Sequence, residues 1–249
     1  TIGNVASISK QIYERYMPYI GTGLQFDNRT IHMEADVKMN LYNWQLEEHS
    51  LSRKKTEFSP DARLFLKYSV SATSDFSLNY RYSELFQDLR QVYDGNLFTS
   101  YRTIVNNSHT PKTDGTHSLT LRYQYSQPIK GIFFMLSALG STTHRHSAYV
   151  TTLQPESGIL VRTKKDADYD SEMYLVNGRF SKSFGWWKSL LGVYGSYMKS
   201  FDAQYSGNEL QDYDMNNYSA GISFSARPLN WLSFELESQW QQTRMKSEL

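Results

Sequence analysis

Residues 31–41 alternate without a slip. Ile31, Met33, Ala35, Val37, Met39 and Leu41 share one parity, and His32, Glu34, Asp36, Lys38 and Asn40 share the other. Successive side chains of a strand point to opposite faces, so this stretch has one oily face and one ionic face. Its length narrows the choice further. A strand of a globular protein usually runs about 5–6 residues, whereas about 9–11 tilted residues are needed to cross a bilayer. A row of His32, Glu34, Asp36 and Lys38 would be costly in a dry core and is ordinary beside water.

The same pattern returns in residues 218–241. Tyr218, Ala220, Ile222, Phe224 and Ala226 alternate with Ser219, Gly221, Ser223 and Ser225, and Leu232, Phe234, Leu236 and Trp240 with Ser233, Glu235, Glu237 and Gln239. Between them, Arg227, Pro228, Leu229 and Asn230 form a turn in which proline fixes φ and withholds a donor. The unit reads as a hairpin with one greasy face and one face able to carry carboxylates.

Composition agrees with strands that are apolar at alternate positions only. Aromatic residues reach 15%, with 19 tyrosines, yet only 39% of residues are hydrophobic and the mean hydropathy is −0.58. With 26 basic and 25 acidic residues the net charge is +1, which leaves no electrostatic footprint for nucleic acid. The run Arg53, Lys54, Lys55, flanked by Glu47, Glu48 and Glu57, reads as a solvated loop. Cysteine is absent, which excludes disulfides, thiolate metal sites and cysteine nucleophiles. No apolar run approaches the 18 or so residues of a transmembrane helix. Thr1, Ile2, Gly3 and Asn4 lack the features of a secretory signal, so the chain reads as mature, cytosolic or cut from something larger.

In chain order, a tyrosine-rich strand ends near Phe26 and turns at Asp27, Asn28, Arg29 and Thr30 into the strand of residues 31–41. A polar loop is expected at residues 47–60. Leu64, Leu66, Tyr68 and Val70 then pair across a turn at Thr73, Ser74 and Asp75 with Phe76, Leu78, Tyr80 and Tyr82. Residues 83–115 depart from the strand pattern: Leu85, Leu89 and Val92 have helical spacing, with Ser83 placed to cap and Gly95 to stop a short helix, and residues 96–105 read as an extra extended piece. Leu119, Leu121, Tyr123 and Tyr125 begin a hairpin turned at Ser126 to Gly131, whose return strand runs to about Leu153. Polar loops are expected at residues 154–170 and 202–217, on either side of a hairpin turned at Phe184, Gly185, Trp186, Trp187 and Lys188.

The expected fold is therefore all-β: an antiparallel, up-and-down transmembrane β-barrel segment of about ten long strands, with short periplasmic turns alternating with long extracellular loops. Both ends of the chain fall on the long-loop side, whereas a complete bacterial barrel has its termini in the periplasm. Residues 1–249 are thus expected to be part of a single outer-membrane barrel domain that lacks strands on both sides.

The hairpin of residues 218–236, the loop of residues 83–101 and the turn from Gly178 to Trp187 resemble the barrel portion of Bacteroidetes TonB-dependent outer-membrane receptors. The resemblance implies a closed barrel with an N-terminal plug and a TonB-contacting segment, neither found in this sequence. It implies residence in a Gram-negative outer membrane and import of a large or scarce ligand. Implied partners are outer-membrane lipid, the TonB complex through regions missing here, and an unidentified imported ligand, with a surface lipoprotein as a further candidate. Two rivals share features: a passive porin-like or structural barrel shares every strand, and a soluble carbohydrate-binding β-sandwich shares the alternation.

On this reading Ile31, Met33, Val37, Phe224, Leu232, Phe234 and Leu236 face lipid, and Glu34, Asp36, Lys38, Arg122, Arg179, Glu235 and Glu237 face the lumen. Trp186, Trp187 and Trp231 sit beside short turns, where an aromatic girdle is expected. Trp231 has polar-face parity and needs a bulge to point outward. Arg90, Tyr93, Tyr101 and Arg102, in a long loop on a rigid scaffold, are the candidate ligand contacts. His144 and His146 share a face at a spacing that can bind metal, but no third ligand is visible nearby, and they read as polar residues at a loop rim. Asp166, Asp168 and Asp170 resemble the start of a calcium loop. Ser171 stands where that loop needs glycine and Asn177 where it needs glutamate, which leaves at most a looser calcium contact. No nucleophile elbow, P-loop or dinucleotide fingerprint occurs, so neither an enzyme nor a cofactor is expected.

Overall fold

A computed structural model describes residues 11–48, 51–85, 96–106, 112–207 and 209–247. Its strands are β1 (Gln11–Tyr16), β2 (Tyr19–Asp27), β3 (Ile31–Glu48), β4 (Leu51–Ser71), β5 (Ser74–Leu85), β6 (Asn96–Ser100), β7 (Thr103–Asn106), β8 (Asp114–Gln127), β9 (Ile132–Gln154), β10 (Ile159–Phe184), β11 (Ser189–Ser206), β12 (Glu209–Leu229) and β13 (Leu232–Ser247). All thirteen belong to one sheet, in the order β1-β3-β4-β5-β8-β9-β10-β11-β12-β13, with β2 also on β3. β1 and β2 pair with successive parts of β3, Gln11 opposite Glu48 and Tyr19 opposite Asn40. They act as one long strand interrupted at Met17 and Pro18.

Every neighbouring pair along this path is antiparallel. Register carries one parity unbroken from edge to edge. Val37 faces Ala62, Leu66 faces Leu78, Leu78 faces Leu121, Leu121 faces Ala138, Ala138 faces Val176, Val193 faces Ile222 and Phe224 faces Leu236. The opposite parity carries Asp36 against Arg63, Lys38 against Asp61 and Ser223 against Glu237. One side of the whole sheet is thus apolar and the other mainly polar.

Among the described residues no second layer covers the apolar side. Val37 and Leu236 are 55% and 68% exposed, and the buried hydrophobic residues among those described are Ala148, Val150, Ala203 and Ala226 alone. The accessible surface is 17041 Å², against about 11,000 Å² for a compact protein of this mass. A β-sandwich, whose apolar faces meet in a core, is excluded by this single layer.

The short connections have local causes. Asn28 Oδ1 accepts from the backbone N–H of Thr30 at 2.8 Å and of Ile31 at 2.7 Å, an Asx turn that starts β3. Ser71 and Ser74 hydroxyls meet at 2.8 Å across the next turn. Pro128, Ile129 and Lys130 make one 3-10 turn, ended by Gly131 at φ 62°, a left-handed conformation that suits glycine. Pro60 is tolerated inside β4 because the ladder with β5 begins only at Asp61.

The long excursions are ladder rather than loop, which corrects the sequence reading. β3 and β4 stay paired from Tyr42 opposite Glu57 to Glu48 opposite Leu51. β9 and β10 pair as far as Gln154 opposite Ile159, and β11 and β12 as far as Ser206 opposite Glu209. Arg53, Lys54 and Lys55 therefore lie in a strand. These extensions carry polar side chains at both parities, so the apolar alternation is lost while backbone hydrogen bonds still favour the strand. Ser83 caps no helix; it lies in β5, opposite Asp61 and Thr116. The helix centred on Leu89 and Val92 lies outside the described residues.

Candidate functional site

Where β9 and β10 rise beyond their apolar part, one bulge re-aims a strand. Ala167 and Asp168 together oppose His146, between the pairs Asp166–Ser147 and Tyr169–Arg145. A bulge reverses the parity that follows it. Tyr169 and Arg145 lie on the polar side below the bulge, and above it Lys164 and Arg162 lie there too, opposite Tyr149 and Thr151.

These side chains, with Asp114 from β8, Asp202 from β11 and Tyr213 from β12, line a pocket of about 200 Å³. Arg162 stacks over the Tyr149 ring, Cζ to centroid 4.5 Å, and the Lys164 ammonium lies 6.0 Å from the same ring. Lys164 is only 5% exposed. Arg145 Nε is buried with no hydrogen-bond partner among the described residues. The Tyr213 hydroxyl donates to Asp202 Oδ2 at 3.2 Å. Burial, then the Asp202 charge, pushes the Tyr169 and Tyr213 phenols above their ordinary value. Three cations, two carboxylates and an aromatic face make a site able to hold an anionic or oxygen-rich group.

The extra hairpin docks next to this pocket. β11 leaves the β10 ladder at Phe201, opposite Glu172, and β7 pairs in parallel with β10 further up, Leu160 opposite Thr103 to Thr163 opposite Asn106. The Leu160 N–H donates to the Arg102 carbonyl at 2.8 Å. Tyr101 and Arg102 are thus held at the hairpin turn, Tyr101 90% exposed and the Arg102 guanidinium 5.5 Å from its ring. Arg90 and Tyr93 lie outside the described residues.

The polar side carries Glu34, Asp36, Lys38, Arg122, Arg179, Glu235 and Glu237 on one parity. Arg122 donates to Gln124 Oε1 at 2.9 Å, and with Arg179 it lines a second cavity, of about 300 Å³, toward the short turns. Arg81 and Asp61 pair at 2.8 Å on the same side; being partly exposed, such a pair adds at most about 1 kcal/mol. Phe224, Leu232, Phe234 and Leu236 share the apolar parity. Trp186 packs within 6.3 Å of Phe224 and 5.4 Å of Trp187. Trp231 sits in the β12–β13 turn itself, beside the register shift between Ala226 and Leu229, and is 79% exposed.

The chain matches no family model, and no curated protein matches it. Among solved structures, the copper transporter OprC superposes on 91% of this chain with a TM-score of 0.56 at 8% identity. The siderophore receptor PirA from Pseudomonas aeruginosa covers 98% of it with a TM-score of 0.41 at 10% identity, a likeness too loose to carry an argument. The fold is that of a transmembrane β-barrel segment. At 8% identity the likeness to OprC is one of fold alone, and this chain spans 42% of that structure and 58% of PirA.

Sequence reading missed two features of this segment. A second aromatic row closes the apolar band at the end away from the short turns, where Tyr197 and Tyr218 lie 5.0 Å apart and Tyr174 donates to Glu172 at 2.9 Å. The tyrosine count was its only signal. The other is the setting of His144 and His146. A third candidate ligand does stand beside them, because cross-strand register brings Asp168 to His146 and Asp170 to His144. The His146 imidazole holds the Asp168 carboxyl below the usual carboxylate range.

Proposed function

We propose that this chain is barrel wall of an outer-membrane receptor of the Bacteroidetes TonB-dependent kind, importing a ligand too large or too scarce for porins. The observation that supports this most is the single two-faced sheet. An apolar face of this extent would drive association in water and is satisfied by lipid.

Residues 1–249 then form part of one barrel domain. Among the described residues, β2 and β13 have a ladder partner on one side only. Unpaired edge groups in hydrocarbon cost several kcal/mol each, so further strands close the barrel there, and plug and TonB-contacting segments accompany them. Phe224, Leu232, Phe234 and Leu236 contact lipid, Trp186, Trp187 and Trp231 form the inner girdle, and Glu34, Asp36, Lys38, Arg122, Arg179, Glu235 and Glu237 line the lumen. The basic pocket at Arg145, Arg162 and Lys164 receives an anionic or oxygen-rich part of the ligand. Arg90, Tyr93, Tyr101 and Arg102 touch the ligand at the mouth, where a surface lipoprotein would also dock.

The intact gene product should sediment with the outer membrane and be retained by the immobilised periplasmic domain of TonB. A membrane protein that is not retained would be a passive barrel, and recovery in the soluble fraction would overturn both readings.

A further inference from the structure

We infer that His144, His146 and Asp168, with Asp170 beside them, form a binding site for a first-row divalent transition metal of the zinc class, clipping β9 to β10 across the bulge. The inference rests on local geometry and is independent of the transport reading. One ring nitrogen from each histidine and one carboxylate oxygen of Asp168 all lie within 4.8 Å of one another. Ligand atoms around a tetrahedral zinc stand about 3.4 Å apart, given bonds of about 2.1 Å, so small rotamer changes close the site.

The arrangement is built rather than incidental. His144 and His146 are successive outward residues of β9, their rings 4.7 Å apart and nearly perpendicular. The bulge brings Asp168 to 2.6 Å from His146 Nδ1, and the ladder brings Asp170 to 2.8 Å from His144 Nδ1. The Asp170 carboxylate on His144 Nδ1 fixes that ring and leaves its other nitrogen for a metal, while Asp168 would exchange its contact with His146 for the ion they share. Asp114 Oδ1 accepts from the His146 backbone N–H at 3.2 Å and steadies the strand.

Donor chemistry selects the ion. Two imidazoles with carboxylates suit zinc, copper or nickel, whereas calcium takes six to eight oxygens that this cluster does not offer. The looser calcium contact expected from Asp166, Asp168 and Asp170 is not favoured, because Asp166 lies across the bulge opposite Ser147. The Lys112 charge acts on Asp168, and Glu172, two positions beyond Asp170 on β10, is engaged by the Tyr174 hydroxyl. The side chains point away from the polar pocket, just beyond the apolar band, so the site belongs to the outer rim rather than to the ligand path.

The test uses the intact protein in detergent micelles, stripped by chelator and titrated with Zn2+, and in parallel with Cu2+ read by electron paramagnetic resonance. One equivalent of Zn2+ should bind, and Cu2+ should show two nitrogen ligands. Asp170→Asn should weaken Zn2+ binding about 10–100-fold; His144→Ala and His146→Ala should each cost more and each remove one nitrogen from the Cu2+ spectrum. Each variant should keep the gel mobility of the folded barrel; if one does not, His144→Gln or His146→Gln replaces it. Zn2+ binding unchanged in the double histidine variant, no stoichiometric binding, or preference for Ca2+ would each overturn the inference and leave two solvent-exposed histidine–aspartate pairs.

Discussion

Tyr194 crosses Gly221 to reach Glu237. The three residues lie on β11, β12 and β13, and the Tyr194 hydroxyl donates to Glu237 Oε1 at 2.9 Å. A Cβ at position 221 would stand well inside 3.0 Å of the phenol ring. Glycine is needed here for close approach, and the tyrosine forms a rib spanning three strands of the polar face.

Gly221→Ala should therefore swing Tyr194 off Glu237 and cost about 0.5–1.5 kcal/mol, one hydrogen bond's worth. Tyr194→Phe should cost a similar amount, and the double variant little more than either alone. Denaturant unfolding of the micelle-bound protein measures all three; additive losses would show that the residues are not coupled.

Leu236→Arg should block barrel assembly, since a cation facing lipid near midplane costs about 2–4 kcal/mol. Phe234→Arg, closer to the short turn, should cost less, and Glu235→Arg on the opposite face should be tolerated. Yield in the outer-membrane fraction reads the three out. Equal tolerance at 235 and 236 would defeat the facing assignment.

Alternation made residues 31–41 and the β12–β13 hairpin legible because each face there meets a different solvent. The excursion at residues 47–60 reads as loop for the opposite reason: Lys54 opposite Gln45 and Glu57 opposite Tyr42 put polar groups on both parities, and the sequence carries no period-two apolar signal there. The pocket was invisible because the bulge at Ala167 and Asp168 reassigns the parity of Lys164 and Arg162, and nothing in the local sequence announces it. His146 and Asp168 are 22 positions apart, so only register could join them.

On the receptor role proposed above, Arg162→Glu together with Lys164→Glu should reverse the pocket's charge and lower uptake of an anionic ligand by roughly tenfold or more, while outer-membrane yield stays unchanged, because like charge placed against an anionic group costs at least a kcal/mol or so. Arg162→Ala alone should lose only its stacking on Tyr149, about 0.5–2 kcal/mol. Uptake unaffected by the double reversal would place the ligand elsewhere.

Tyr213 should titrate later than an ordinary phenol of about 10, because burial and Asp202 oppose its anion. Its folded value is raised, so the folded chain holds the proton longer than the unfolded one. Stability should then fall as pH rises from about 10 through the folded value. Tyr213→Phe should remove one late component from the ultraviolet phenolate titration and flatten that alkaline loss. A titration curve identical to the parent's would refute the assignment.

With no cysteine in the chain, single cysteines at Phe234, Glu235, Leu236 and Glu237 can carry a spin label in the membrane-embedded protein. Collision rates with oxygen, which concentrates in lipid, and with a water-soluble nickel chelate then report what each face touches. High oxygen accessibility is expected at 234 and 236, and high chelate accessibility at 235 and 237. Uniform values along the strand, or the reverse alternation, would contradict a sheet with lipid on one side and water on the other.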